Sequence, residues 1–219
     1  AARALAAVPE AALTESQRQA VQRSINEYLA SEMTNADRPE SWLNIGLLYT
    51  DQRQFDPAEA AYRTALELQP TFTQAAVNLA DLYRIQGRDG DGESTLRQAL
   101  ERDPRNATAH HALGLLLIRQ QRLPEALTAL AEAARLGADN PRYSYVYAVA
   151  LHDAGQSKLA IQMLETVLKK HPNDRDALLA LAMFQREAGQ FDTARDYARR
   201  LATLEPDNPD VQALLRQAL

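Results

Sequence analysis

Few residues in this chain have the types and spacing that metal or phosphate chemistry requires. Residues 89–93 alternate carboxylates with glycines, a composition typical of calcium loops, but they do not complete the ligand spacing of an EF-hand. Gly87, Gly90 and Gly92 lack the preceding strand and the Gly-Lys-Ser/Thr ending that a phosphate-binding loop needs. The sequence therefore predicts neither a metal site nor a phosphate site in this segment.

The remaining reactive side chains do not form a catalytic set either. His110 and His111 are adjacent, so on a helix they point to different sides and cannot chelate one ion together. His171 follows two lysines at a predicted helix C-terminus, where positive charge is favoured. The chain has no cysteine, which excludes disulfides, thiolate catalysis and covalent haem attachment within these residues. We predict no enzyme activity and no cofactor.

Composition narrows the classes of partner. The sequence is 46% hydrophobic and 24% charged, as in an ordinary folded protein, and its formal net charge is −5. Arg195, Arg199 and Arg200 form the densest basic spot, which is best explained as a solvated helix face. No basic stripe is present, so we expect no nucleic-acid partner. No apolar run reaches the roughly 18 residues of a membrane span, so no membrane insertion is expected. The opening Ala1-Ala2-Arg3 favours a mature or excised fragment.

The strongest feature of the sequence is a pattern that returns every 34 residues without an insertion or a deletion. Closing prolines stand at Pro70, Pro104, Pro172 and Pro206. Small residues occupy two further positions of the same frame: Gly46, Ala80, Gly114, Ala148 and Ala182, and Ala58, Gly92, Ala126, Ala160 and Ala194. Repeats of this length indicate supersecondary units that stack on one another. Such a stack offers a long binding surface and no deep catalytic pocket.

Each repeat contains two apolar-periodic segments of helix length, separated by a short turn. Pro39 and Pro141 stand where first helices begin, a position at which the missing N–H has no helical partner to lose. Gly87, Gly155 and Gly189 follow first helices, where the left-handed conformation of a C-terminal cap favours glycine. No segment alternates with period two over a useful length, so we predict an all-α chain.

The small residues in the middle of helices predict close helix crossings. Glycine inside a helix costs about 1 kcal/mol relative to alanine. That cost is tolerable at Gly46 if a second helix crosses closely there, with Ala58 as the matching small residue and Tyr62 filling the space beside it.

These residues resemble a known family. The first repeat reads Trp42-x-x-Ile45-Gly46-x-x-Tyr49, followed by Ala58-x-x-x-Tyr62-x-x-Ala65 and Pro70. The arrangement resembles the tetratricopeptide repeat, with local departures at Arg53 and Gln121, which take the place of the turn glycine. The resemblance implies a right-handed superhelical α-α solenoid of five helix pairs, at residues 39–72, 73–106, 107–140, 141–174 and 175–208.

We expect the two ends to cover the open faces of this array. Residues 1–38 are predicted to form an N-terminal helical cap or half repeat, with a helix that begins after the capping-box pair Thr14 and Gln17. Residues 209–219 have the length of a lone first helix and are predicted to form a C-terminal capping helix. The opening residues 2–9 resemble the end of a HEAT-type unit.

The resemblance also implies a concave groove lined by first helices. The positions expected to contact a partner are Asn44, Leu47, Asn78, Asp81, Arg84, His111, Leu115, Ile118, Tyr145, Val149, His152, Leu179 and Met183. From the third repeat onward this stripe is mostly apolar, so Leu115, Ile118, Tyr145, Val149, Leu179 and Met183 are predicted to form its floor. The alternative is that adjacent first helices bury one another. Aspartate at Tyr145 and Val149 is expected to abolish binding and to preserve folding.

Asn44 and Asn78 share a position from which related arrays hold a peptide backbone, because an amide offers both a donor and an acceptor. The same position holds Ala112 in the next repeat, so the series stops there. Ordinary hydrogen bonding between neighbouring helices is the alternative explanation for both asparagines. Asp81 and Arg84 could add polar specificity beside them.

The resemblance implies a protein-interaction scaffold that binds a peptide or a helix of a partner protein. One alternative is a structural spacer or accessory arm of a larger exported protein, whose neighbouring domain fills the groove. The HEAT-like start followed by these repeats resembles the C-terminal half of bacterial exported multihaem cytochromes, and this is the reason to favour the periplasm. Self-association through terminal helices is a further alternative.

Overall fold

A computed structural model describes residues 8 and 13–217 of the chain. The described residues form twelve α-helices and no strand, which confirms the all-α prediction. The helices are α1 (Glu15–Met33), α2 (Pro39–Asp51), α3 (Phe55–Leu68), α4 (Thr73–Ile85), α5 (Asp89–Arg102), α6 (Ala107–Arg119), α7 (Leu123–Leu136), α8 (Pro141–Asp153), α9 (Ser157–Lys170), α10 (Arg175–Glu187), α11 (Phe191–Leu204) and α12 (Pro209–Gln217). The HEAT-like start predicted for residues 2–9 lies outside the described residues, apart from Val8.

The chain divides into two compact units, an N-terminal unit Ala1–Ala112 and a C-terminal unit Leu113–Leu219, with the boundary inside α6. In the N-terminal unit α2 packs on α3, α4 packs on α5, and α1 contacts α2. In the C-terminal unit α8 packs on α9 and α10 on α11, while α12 contacts α11. First helices are also neighbours, because α2 contacts α4 and α8 contacts α10. Consecutive packed pairs are the arrangement that the 34-residue pattern predicts.

The helix starts follow from local sequence. The Thr14 hydroxyl accepts a hydrogen bond from the Gln17 backbone N–H at 3.3 Å, and the Thr14 N–H donates to the Gln17 side chain at 2.8 Å, which confirms the predicted capping box. Pro39 and Pro141 occupy the first helical positions of α2 and α8. The Asp174 carboxylate caps α10 by accepting from the Ala177 N–H at 2.8 Å.

The glycines in the middle of first helices lie at close crossings, as predicted. A Cβ atom added at Gly46 would lie 2.5 Å from Cδ1 of Tyr62, whose ring is fully buried on α3. In the C-terminal unit, a Cβ atom at Gly114 would lie 2.6 Å from Cγ of Leu130 on α7. Only a residue without a side chain permits these separations, so the helix-propensity cost of glycine is offset by the packing it allows.

The core of each unit lies between its paired helices. In the N-terminal unit the buried cluster contains Ala58, Tyr62, Leu79, Leu82 and Tyr83. In the C-terminal unit the main buried cluster spans α8 to α12 and includes Ala148, Leu151, Leu164, Leu178, Leu181, Leu201 and Val211. These residues pack the first helices against their partners and leave part of the surface of each first helix exposed.

Five turns share one left-handed position in the frame. Gly87, Gly155 and Gly189 have φ values of 72°, 76° and 76°, and Arg53 and Gln121 take the same conformation with φ of 59° and 60°. A left-handed conformation costs an L-residue about 1–2 kcal/mol, a cost that glycine avoids. We therefore expect Arg53→Gly and Gln121→Gly each to raise the free energy of unfolding by about 1 kcal/mol, measured by chemical denaturation.

Gly155→Ala provides the matched control for these two variants. Its added methyl group meets no atom within 4 Å, so any loss of stability must come from the backbone conformation. We expect this variant to be destabilised by about 1 kcal/mol. Unchanged stability in all three variants would contradict the assignment of strain to this turn.

Candidate protein-binding surface

Four of the predicted floor residues are exposed apolar side chains of first helices in the C-terminal unit. Leu115 and Ile118 lie on α6, and Leu179 and Met183 lie on α10. Their exposed fractions fall between 38% and 40%, whereas large apolar side chains are most often buried. We call these four residues the exposed apolar set. Each pair is spaced three or four residues apart on its helix and so shares one helical side.

The other two floor residues are partly buried. Tyr145 and Val149 on α8 pack against the main buried cluster of the C-terminal unit. Burial is the largest cause that raises the pKa of Tyr145, with a further contribution from the charge of Asp176. Aspartate at these two positions would place a charge against the core and lower stability. This partial burial favours the alternative in which Tyr145 and Val149 contribute to the core, and we expect the aspartate variants to lose stability as well as binding.

His152 lies against α10. Its imidazole stacks on Phe184, with ring centroids 3.7 Å apart, and its Nε2 lies 3.2 Å from a carboxylate oxygen of Glu187. Phe184 itself is buried. His152 on α8 thus contacts α10, the neighbouring first helix, and its side chain is engaged within the chain.

In the N-terminal unit the predicted polar contacts are already engaged within the chain. Asn44 donates to the Glu32 carboxylate on α1 at 3.1 Å, and the carbonyl oxygen of Asn78 accepts from the Gln74 side chain at 3.1 Å. The Asn44 bond joins neighbouring helices, as in the alternative explanation, whereas the Asn78 bond lies within α4. Asp81 and Arg84 are exposed and form an ion pair with each other at 3.0 Å.

The two remaining predicted residues of this unit are apolar or aromatic. Leu47 packs partly buried against the cluster that contains Tyr62 and Tyr83. His111 is half-buried on α6. Neither residue adds an exposed apolar surface comparable to the exposed apolar set.

The carboxylates of residues 89–93 serve the start of α5. Asp89 and Asp91 lie in its first turn, where negative charge is favourable, and Asp91 forms an ion pair with Arg88 at 2.7 Å. Within residues 8 and 13–217, no three His, Asp or Glu side chains are grouped so that they could hold a metal ion.

A cleft that the 34-residue pattern did not predict lies on the second-helix side of the C-terminal unit. This fourth-repeat cleft lies between α7, α8 and α9, has a volume of about 430 Å³ and includes Ala131, Ala134, Tyr147, Leu159, Met163 and Val167. Arg135, Lys170 and His171 line its end near the C-termini of α7 and α9. A comparison of frame positions could have revealed it, because Leu159 and Met163 are apolar where the second repeat has Asp91 and Thr95.

Consecutive packed helix pairs with a 34-residue period define a protein of the tetratricopeptide class. Residues 39–72 and 73–106 each match family models described as tetratricopeptide repeat. Residues 90–212 match the model described as cytochrome c-type biogenesis protein H TPR domain. The chain belongs to this tetratricopeptide repeat family.

Similar proteins share this repeat fold. The chain is 31% identical over 189 residues to cellulose synthase operon protein C of Xanthomonas axonopodis pv. citri (strain 306), a match that covers 80% of the chain and 12% of the relative. The structure of Pseudomonas aeruginosa pilF is similar with a TM-score of 0.69 at 23% identity, covering 82% of each chain. YrrB, described as a TPR protein with an unusual peptide-binding site, has a TM-score of 0.63 at 18% identity, with 87% of this chain and 96% of that chain covered.

The curated relatives are much longer than this chain. It spans between 12% and 21% of the length of the first three that it matches. Among the helices formed by residues 13–217, none combines the length and the hydropathy that crossing a membrane would require.

Proposed function

We propose that the chain is a protein-interaction scaffold that binds an apolar segment of a partner protein on the first-helix side of its C-terminal unit. One observation carries the proposal: the exposed apolar set leaves four large apolar side chains more than one third exposed on helices whose other large apolar residues are buried. Exposed apolar surface of this kind marks interaction sites. The partner segment would be a helix or an extended peptide with apolar side chains at corresponding spacing.

The remaining predicted contact residues have different roles in this proposal. Tyr145, Val149 and His152 support the surface by holding α8 against its neighbours. In the N-terminal unit, Asp81 and Arg84 present an exposed polar pair, whereas Asn44, Asn78 and Leu47 are engaged within that unit and His111 is half-buried, so these residues are not part of the proposed surface. Tetratricopeptide proteins are typically non-enzymatic, which agrees with this assignment, and YrrB is described as having a peptide-binding site.

A random peptide library displayed on phage, selected on the 219-residue chain, tests the proposal. We expect selected peptides to carry at least two apolar residues. Leu179→Asp and Met183→Asp are each expected to weaken binding of a selected peptide about tenfold, measured by fluorescence anisotropy, because a carboxylate would have to be desolvated in the complex.

Leu204→Asp is the matched control, since Leu204 is 38% exposed but lies on the second helix α11. It should leave binding unchanged. Thermal melting of all three variants should stay close to that of the original chain, because surface substitutions of exposed residues change stability little. Equal effects of Leu179→Asp and Leu204→Asp on binding would count against a specific first-helix site.

A second candidate partner follows from the family model that covers residues 90–212, whose description names cytochrome c-type biogenesis. We propose that the ligand is then a c-type cytochrome polypeptide before haem attachment, and that the chain works in the periplasm. An unfolded polypeptide presents apolar side chains that the folded cytochrome hides. Binding to the haem-free polypeptide but not to the haem-loaded protein is the expected result, and equal binding to both would reject this partner.

A structural role is the remaining alternative. A neighbouring domain of a larger exported protein, such as a multihaem cytochrome, would then cover the exposed apolar set. Hydrogen exchange of α10 would be slow in the larger protein and fast in this chain, without any peptide ligand.

A further inference from the structure

We propose that the fourth-repeat cleft is a second binding site, specific for an acidic peptide segment with apolar side chains. It lies on the second-helix side, so it uses none of the residues assigned to the first-helix surface and does not rest on the proposed function. The occupant is identified by two properties of the cleft: an apolar floor and a basic end.

The apolar floor differs from the equivalent surface of the second repeat. The second repeat has a cleft of about 420 Å³ at the same frame position, between α3, α4 and α5. That second-repeat cleft is lined by Asp91 and Thr95 where the fourth-repeat cleft has Leu159 and Met163. Leu159 is 43% exposed, although a polar side chain would be the ordinary choice there. The packing of the helix pair therefore does not require an apolar residue at position 159, whereas Met163 also packs against the main buried cluster.

The charges of the two clefts differ in the same way. The lining of the second-repeat cleft balances Arg63 and Arg102 against Glu67 and Asp91. In the fourth repeat, alanine and leucine take the places of Arg63 and Asp91, and arginine takes the place of Glu67. Arg135 and Lys170 remain as fixed positive charges, and no carboxylate is among the described residues that line the cleft. This is an electropositive end in a chain whose formal net charge is −5.

The nearby carboxylates do not close this end. Arg135 pairs with Glu132 at 2.7 Å and Lys170 with Asp139 at 3.4 Å, but these pairs are at the surface and Asp139 is fully exposed. Exposed pairs are worth little, so a ligand carboxylate can compete for the same cations. Lys170 Nζ also lies 3.4 Å from the Ala138 carbonyl oxygen, which holds the ammonium group at the mouth of the cleft.

The ligand that fits is a segment with apolar side chains over Leu159 and Met163 and one or more carboxylates at Arg135 and Lys170. Apolar contacts provide the affinity, and the cations fix the direction of the segment. A selection with the displayed random peptide library tests this on the Leu115→Asp/Leu179→Asp double variant of the full chain, in which the first-helix surface is disabled. This choice separates failure of the cleft from failure of the proposed function.

We expect the selected peptides to be enriched in Asp or Glu next to two apolar residues. Adding Leu159→Asp, which restores the residue type of the second repeat, is expected to weaken binding of a selected peptide at least tenfold. Lys170→Glu is expected to weaken peptide binding about fivefold and to remove most of its salt dependence. Replacing the peptide carboxylates with amides should reproduce the loss seen with Lys170→Glu.

Three outcomes would overturn the proposal. The first is a selection without enrichment in Asp or Glu, or selected peptides that bind the Leu159→Asp and Lys170→Glu variants as tightly as they bind the double variant used for the selection. The second is binding of phosphatidylglycerol vesicles, abolished by Lys170→Glu, in place of peptides. The third is a dimer in sedimentation that Leu159→Asp dissociates, because a second copy would then cover the cleft. Circular dichroism melting confirms that each variant is folded.

Discussion

Replacing Gly46 with alanine is expected to lower the free energy of unfolding by about 2 kcal/mol, the opposite of what helix propensity predicts. Alanine is favoured over glycine inside a helix by about 1 kcal/mol. The added methyl group would, however, overlap the ring of Tyr62, with 2.5 Å between Cβ and Cδ1. Overpacking of a buried site costs about 1–3 kcal/mol, and this site is at the upper end because a rigid ring opposes the new atom.

Tyr62 cannot easily move aside. Its side chain is 1% exposed, and its hydroxyl is hydrogen-bonded to the Thr50 hydroxyl at 3.0 Å. The ring is thus fixed by packing on its faces and by a polar contact at its end. Denaturant unfolding measures the loss, and the double variant Gly46→Ala/Tyr62→Leu should show a positive coupling of at least about 1 kcal/mol because leucine can rotate away.

Gly90→Ala is the matched control. Gly90 lies in the first turn of α5 and is exposed. A Cβ atom added there would meet no atom within 4 Å. The same substitution should therefore stabilise the chain by up to about 1 kcal/mol. Destabilisation at Gly90, or stabilisation at Gly46, would contradict the crossing-helix explanation for the small residues of the repeat.

The repeat pattern in the sequence predicts those parts of the fold that depend on local backbone geometry. Closing prolines and turn glycines recur in one frame, and the left-handed conformation of Arg53 and Gln121 shows that the frame sets the backbone even where glycine is absent. The crossing at Gly46 was also predictable, because a glycine in a helix needs a packing reason. These features are encoded within one or two repeats.

Burial at the binding surface was not predictable in the same way. Val149 and Met183 share one position of the frame, yet Val149 packs against the core and Met183 is exposed. The difference depends on the size of neighbouring side chains on other helices, which periodicity does not record. Asn44 likewise bonds to Glu32 on α1, a helix outside the five repeats.

The fourth-repeat cleft was missed for a related reason. Its lining combines α7, α8 and α9, so residues as far apart as Ala131 and His171 contribute to it. No single helix of the three shows an unusual pattern. Only the comparison of Leu159 with Asp91 at the same frame position identifies a change that the repeat itself does not need.

Glu59→Gln is expected to destabilise the chain by about 2 kcal/mol at pH 7, because Glu59 joins three elements of the N-terminal unit. Its carboxylate accepts from Arg88 at 2.7 Å, from the Tyr83 hydroxyl at 2.9 Å and from Arg63 at 2.8 Å. The Arg88 guanidinium also lies 4.4 Å from the centroid of the Tyr83 ring. Hydrogen bonds to a charged partner contribute about 1.5–3 kcal/mol, and glutamine keeps the shape but loses the charge.

Glu132→Gln is the control for this variant. Glu132 and Arg135 form a 2.7 Å ion pair whose side chains are 41% and 62% exposed, whereas the Glu59 side chain is only 17% exposed. An exposed pair on one helix contributes less than about 0.5 kcal/mol. Similar losses of unfolding free energy in the two variants would mean that the bonds of Glu59 to Arg63, Tyr83 and Arg88 stabilise the chain no more than an exposed ion pair does.

The pH dependence gives an independent test of the Glu59 network. Burial is the largest influence on the pKa of Glu59 and acts to raise it, but the hydrogen bonds from Arg88 and Tyr83 and the charges of Arg88 and Arg63 together lower it below its ordinary value of 4.5. A lowered pKa in the folded state means that the carboxylate stabilises the fold above pH 4.5 and that this contribution is lost as the pH falls through the folded-state pKa. The stability difference between the original chain and Glu59→Gln should therefore be constant from neutral pH down to about 5 and should vanish in stronger acid. A difference that persists at low pH would show that Glu59 acts through packing and not through its charge.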